Sequence, residues 1–493
     1  MSSKSIIFLI FFSLFITIIS STSISFSSIG EGYTIEDDIL TITGEGEYDL
    51  STSETDKEIL VKSSCTLKFN SFSLSNSGSL TPLLISSEKK VNLVLMGEST
   101  LIDSSNNEHE GTIYLESGAT LTISGTGILN IKPNKLMAIN GTDSTSLIVN
   151  DGPTINIEST SGYVGGIYLR EAITFNNVIF KYSCSNGENH AIDSEGTIKL
   201  IKGTYDINSW EGKGIQSENY LFIGEENGNN DDLTLNIKTN NEGIEAKKIE
   251  IYSGNINIEA EEDGINAASS GTDCDEETVH CSGNCACYIN YKGGKMTLTS
   301  GEDGLDANGD ITITGGEISI FASTNGADQP IDQDGLLSIT GGTVLAAGST
   351  QMGGVSAETT QIAKTYTGTI NQDVTLIAKD SSNNEIMSIT TPKAANYLYF
   401  NYKYTFSITI DGTEVTLSDP SQNQGGQGGP GEQGGQGGPG GPGGPSGQMP
   451  PEWGGQGAPG ENIQSSDNGN SESSEFYLTN LNFIIFIIGL FNF

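Results

Sequence analysis

Apolar side chains alternate with polar or glycine positions over runs of four to six residues along most of this chain, as in Ile39-Leu40-Thr41-Ile42-Thr43 and Val91-Asn92-Leu93-Val94-Leu95. A period of two predicts β-strands with one buried face, and nothing longer than a turn has helical spacing. Apolar anchors recur just after a small residue or turn, at Ile113, Ile139, Ile167, Ile192, Ile215, Ile244, Ile265, Leu305 and Ile331. The steps between them are 26, 28, 25, 23, 29, 21, 40 and 26 residues. A repeat in the twenties predicts a solenoid in which each coil holds about three short strands.

The repeat is explicit late in the chain. Leu305-Asp306-Ala307-Asn308-Gly309 aligns with Ile331-Asp332-Gln333-Asp334-Gly335, and the Ile311–Gly316 and Leu337–Gly342 runs follow without a gap. One coil cannot bury its apolar face alone, so coils must stack, each strand pairing above and below at a spacing of about 4.8 Å. The pairs Gly293-Gly294, Gly315-Gly316 and Gly341-Gly342 fall at corners where positive φ is expected. The predicted class is all-β. A right-handed parallel β-helix is expected over residues 30–360 and a C-terminal β cap over 361–420. Val374–Ala378, Tyr397–Phe400 and Tyr404–Ile408 are the expected antiparallel cap strands, closing an end that would otherwise be an aggregation edge.

The flanks read differently. Residues 1–22 are expected to be a cleaved secretory signal, with Lys4 ahead of an apolar run from Ile6 to Ile19 that is short for a membrane span. Residues 421–475 are a Gly/Pro/Gln-rich spacer, whose Gly-x-x triplets are too few and too loose for collagen. In 476–493 the apolar stretch Phe483–Phe493 ends the sequence without a basic flank, which fits a lipid-anchor signal near Asn468; a terminal β-strand is the alternative. A secreted or surface-attached monomer is expected, touching membrane only through such an anchor. Asn140, in Asn140-Gly141-Thr142, is then a glycosylation acceptor in a eukaryotic host.

Charge narrows the partners. The chain carries 62 acidic against 22 basic residues, a formal charge of −40, and Arg170 is its one arginine. Nucleic acid and anionic membranes need a cationic face, which excludes them as partners. From Glu242 to Asp334 there are 19 acidic residues against Lys247, Lys248, Lys292 and Lys295. In the stacked register Glu242, Asp263 and Asp303 precede the glycine before an anchor, and Glu245, Asn266, Asp306 and Asp332 follow the anchor. Like charges about 5 Å apart repel by about 3 kcal/mol at an effective dielectric near 20. A cation among them would relieve this, and hard oxygen ligands point to calcium. The opposing reading is a solvated acidic face that keeps the protein soluble.

The 40-residue step holds an insertion with Cys274, Cys281, Cys285 and Cys287, read as two disulfides in a secreted flap rather than a zinc site, which would favour C-x-x-C pairs. Cys65 and Cys184 are either bridged or two buried thiols. Tyr205, Trp210 and Tyr220 fall within one coil and are weak candidates for stacking on sugar rings, with ordinary packing as the alternative.

The phrases EDGLDANGDITITGG and DQPIDQDGLLSITGGTVLAAGS resemble a family of secreted carbohydrate-binding β-helix proteins from cellulolytic bacteria and some microbial eukaryotes. The resemblance covers residues 35–420, is most specific from Glu242 to Ser349, and extends to the Gly-rich tail. It implies a pectate-lyase-like β-helix with bound calcium, adhering to cellulose or acidic plant polysaccharides such as pectin. Glu242, Asp263, Asp303, Asp306 and Asp332 match the family pattern, whereas the cysteine insertion and the apolar C-terminus depart from it. A polysaccharide lyase on the same scaffold would need a Lys or Arg to take the C5 proton, and no basic pair flanks the acids. No catalytic residue is assigned. A structural or adhesive surface role is the further alternative.

Overall fold

A computed structural model describes the chain over residues 31–104, 111–133, 137–159, 165–187, 189–268, 286–325, 327–349 and 354–420, with a two-residue strand at Thr22–Ser23. Residues 1–21 of the expected signal, Cys274, Cys281, Cys285, the Gly-rich spacer, Asn468 and the apolar C-terminal stretch lie outside the described residues. The described chain is a parallel β-solenoid of about ten turns. It contains no α-helix, only the 3-10 turn Asn230–Asp232.

Each coil contributes one strand to each of three faces, as in Ile192–Ser194 on the first sheet, Thr197–Leu200 on the second and Gly203–Asn208 on the third. In that coil two-residue turns separate first from second and second from third, whereas some other coils use more residues there, such as the four between Leu115 and Thr120. The anchors form one interior column: Ile113, Ile139, Ile167, Ile192, Ile215, Ile244, Ile265, Leu305 and Ile331 pair in succession along the first sheet. All of them are buried. Burying each such side chain is worth about 1.5–3 kcal/mol, so the column holds neighbouring coils in register. Phe175, Phe180 and Tyr205 fill a wider part of the interior, with ring centroids 5.6 and 5.8 Å apart.

Glycine carries two separate jobs here. At the corners the second glycine of each pair has positive φ, at +100° in Gly294, +75° in Gly316 and +79° in Gly342. Ahead of the anchors the constraint is space: a Cβ on Gly304 would lie 2.2 Å from Ile320 Cγ2 and 2.4 Å from the Pro330 carbonyl oxygen. Gly243 and Gly264 are equally crowded, by Ile258 and Leu298. Packing therefore accounts for the glycine beside each acidic residue.

The ends are closed. At the start, Tyr33–Glu36 and Ile39–Ile42 form an antiparallel hairpin whose two turn residues, Asp37 and Asp38, have positive φ. At the far end, Ala395–Tyr402 runs antiparallel on Leu337–Gly348, and Ile362–Ile370 pairs with its other side. A four-stranded sheet, Glu385–Thr390, Thr375–Asp380, Phe406–Ile410 and Thr413–Glu414, completes the cap around Phe321, Leu345, Phe400 and Leu398. Cys65 and Cys184 are two buried thiols that are not bridged to each other, Cys184 Sγ donating to the Asn186 carbonyl at 3.2 Å, and burial pushes Cys65 up to about 12. Cys287 is buried at the end of the insertion.

Candidate functional site

On a parallel sheet with a filled interior, every second side chain stands outward in line with its equivalent one coil away. On the first sheet the outward column after the anchors runs Tyr114, Asn140, Tyr168, Asp193, Gln216, Glu245, Asn266, Asp306 and Asp332. A second column precedes the anchors. Its backbone ladder joins His190, Lys213, Glu242, Asp263, Asp303 and Gln329, each accepting from the glycine or alanine one coil back. All seven oxygen-bearing residues singled out in the sequence therefore fall on one face, in two adjacent columns. Asn140 lies on the same face, several coils away.

The two columns differ along their length. At the Lys213 end, Lys213 Nζ is 2.9 Å from Glu242 Oε2 and is also paired with Glu245, all three side chains being mostly buried. Asn266 Nδ2 donates to Glu242 Oε1 at 3.2 Å. Beyond Asn266, among the described residues, no lysine forms an ion pair on this face, and Lys393 interacts at longer range with Glu261 and Asp328. Asp303, Asp306 and Asp332 lie among Asp263, one another, Asp328 and Asp334 instead, while Asp263 itself faces Glu242, Glu302 and Glu262. Burial, reinforced by these neighbouring carboxylates, raises Asp263 to about 6, Asp303 to about 7 and Asp306 to about 8, and also raises Asp332.

Part of this arrangement is structural. Asp263 Oδ1 accepts the Asp303 backbone N–H at 2.9 Å, and Asp303 Oδ1 accepts that of Gln329. His190 Nδ1 does the same for Lys213 at 3.0 Å. Each Asp thus commits one oxygen to stitching coils together and keeps the other. Among the described residues, Asn241 Oδ1 and Asn266 Oδ1 are buried without a hydrogen-bond donor. Among the described residues, no three His, Cys, Asp or Glu side chains converge into a ready-made cation cage.

Two members of the face were missed in the sequence, and register would have found both. Lys213 precedes Gly214 as Glu242 precedes Gly243, but falls just before the acidic stretch that was counted. Asp193 follows Ile192 as Glu245 follows Ile244, and burial followed by Glu218 and Glu195 raises it to about 7.

The aromatic candidates do not form a site. Tyr205 is a correction: it is fully buried, its hydroxyl donates to the Lys202 carbonyl at 3.0 Å, and neither ring face can meet a sugar. Trp210 is exposed in the turn between the third and first sheets. Tyr220 stands on the second sheet beside Phe222, with Lys248 Nζ 4.7 Å from its ring centroid. Basic residues that could serve as a lyase base are themselves paired: Arg170 with Asp143 at 2.8 Å and Glu195 at 3.3 Å, and Lys292 with Glu250 at 2.7 Å.

A different face holds a groove of about 840 Å³ along the outside of the third sheet. Its floor is a column of Asn130, Asn156, Lys181, Asp206, Asn236 and Asn257 in successive coils.

Neither a curated protein sequence nor a solved structure matches the chain. A family profile does, over residues 36–229 and 230–346, which together cover more than half of the chain and both faces just described. The chain belongs to the family described as carbohydrate-binding domain-containing protein.

Proposed function

We propose that this protein binds acidic plant-type polysaccharide through calcium held on the first sheet, as a secreted or surface-attached, non-catalytic adhesin. The observation that carries the reading is the run of Asp263, Asp303, Asp306 and Asp332, none of which is ion-paired among the described residues, in a chain of a carbohydrate-binding family. Left ionised and half-buried, these carboxylates destabilise the fold; a divalent cation would offset that cost. The donor set fits calcium, being oxygen only, with orphaned Asn266 Oδ1 at its margin. Calcium takes six to eight oxygens in loose geometry, so carboxylates presented one per coil, uronate oxygens and water can share it.

The same residues support binding over turnover. A lyase needs a base beside the acids, and Lys213 and Arg170 are both committed to carboxylates. Calcium, when bound, would neutralise uronate carboxylates; Asp303 and Asp306 would hold it, and Lys213 would keep the adjoining coils neutral without it.

The test is binding of the full chain to polygalacturonate with calcium and with chelator, alongside ultraviolet assay for unsaturated products. Binding about tenfold weaker in chelator, without product, is expected. Chelator-insensitive binding would overturn the calcium reading, and released unsaturated uronides would overturn the non-catalytic one.

A further inference from the structure

We infer that the groove on the third sheet is a second, cation-independent site that takes one extended chain of a neutral polysaccharide, laid along the solenoid axis. Its lining runs through seven successive coils, from Glu98 to Glu259. At about 4.8 Å per coil that is a length of roughly 30 Å. A volume of 840 Å³ spread over that length holds a single slender polymer, not a compact ligand or a bundle.

The chemistry of the floor selects the polymer. Asn130, Asn156, Asn236 and Asn257 each offer an amide donor and an acceptor, which is what hydroxyl groups require. They are already aligned: Asn156 Nδ2 donates to Asn130 Oδ1 at 2.8 Å, and Asn236 Nδ2 to Asp206 Oδ1 at 2.8 Å. Along the rim Lys132 pairs with Glu158 at 3.1 Å and Lys238 with Glu259 at 2.9 Å. The lining therefore carries four acidic and three basic residues, Glu98, Glu158, Asp206 and Glu259 against Lys132, Lys181 and Lys238. That near-balance sits on a chain with a formal charge of −40.

Competing occupants fit worse. A uronate polymer finds no cationic excess here, and nucleic acid finds even less. A peptide strand would need a free sheet edge, whereas these strands are paired on both sides. Neutral sugars need only the amides and hydroxyls that the floor repeats from coil to coil. The inference rests on the family's carbohydrate binding but not on the cation of the first sheet.

Calorimetry on the full chain tests it, using cellohexaose and xylohexaose as neutral probes and hexagalacturonate as the acidic one, each with calcium and with chelator. Two variants separate the faces. Asn208→Trp places a bulky ring on an exposed position of the third sheet, and Lys181→Ala/Asn236→Ala strips its floor. At least one neutral probe should bind equally in calcium and in chelator, and bind about tenfold more weakly in both variants, while hexagalacturonate binding is unchanged. Should the double variant unfold, Asn208→Trp alone decides, because it removes no contact. Neutral binding that is absent, that survives both variants, or that disappears in chelator would overturn the second site. Loss of calcium-dependent uronate binding with the neutral site intact would overturn only the first-sheet proposal.

Discussion

The two ends of the acidic face solve one electrostatic problem in different ways. Around Lys213 the protein supplies its own cation, so Glu242 and Glu245 are half-buried yet paired. Around Asp303 the described residues supply none, and burial with neighbouring carboxylates raises Asp263, Asp303 and Asp306 to about 6, 7 and 8. The strand pairing is the same at both ends, down to the glycine before Ile215, Ile244, Ile265 and Leu305. The difference that matters is the lysine, present at one end and without a counterpart among the described residues at the other. Acidic clustering in a repeat is therefore not by itself a cation site; the coils that lack an internal countercharge are the ones left for an external one.

The largest effect expected from breaking this contrast is at the lysine. Lys213→Met leaves Glu242 and Glu245 facing each other with no countercharge, and should cost about 3 kcal/mol in chelator, read by thermal or urea unfolding. Added calcium should restore part of that loss, making the repaired end behave like the other.

Next comes the glycine. Gly304→Ala and Gly243→Ala both force a methyl into the coil below, and each should cost about 2 kcal/mol. Only Gly304→Ala displaces Asp303 from Asp306, so only it should also reduce the stabilisation that calcium gives. Equal effects on that stabilisation would remove the distinction between the ends.

A smaller and broader effect is expected from pH in chelator. Asp263, Asp303 and Asp306 keep protons up to about 6, 7 and 8 in the fold, against about 4 in an unfolded chain. The folded state binds more protons, so this contribution is fully present below about pH 4 and is lost as pH rises through 6 to 8. Melting temperature in chelator should fall across that window and flatten in Asp303→Asn/Asp306→Asn. Calcium should reverse the slope, since it competes with protons for the same oxygens.

Much of the fold was readable from sequence because the interior is unforgiving. One large aliphatic side chain per coil must meet its equivalent, so the anchors from Ile113 to Ile331 announced the register that the strands adopt. The acidic columns followed from that register. Tyr205 was misplaced because its aromatic chemistry was weighed without its parity; Tyr205 and Ile207 alternate with Asp206, which puts both inside. Lys213 was missed because charge was counted over a stretch of chain, while its effect depends on the column. The third-sheet groove left no signal beyond ordinary polar alternation, since Asn130, Asn156 and Asn236 become a surface only when coils stack.

The central claim is that cations stabilise the lysine-free end and not the other. Thermal unfolding of the wild type, Asp303→Asn/Asp306→Asn and Glu242→Gln/Glu245→Gln, each titrated with calcium after chelation, measures it most directly. Calcium at about a hundredfold excess over its Kd should stabilise the wild type by about 2.7 kcal/mol. The Glu variant should keep that gain, and the Asp variant should lose it while being more stable than wild type in chelator. A wild type whose melting does not respond to calcium, or an Asp variant that responds as strongly as the wild type, would contradict the account.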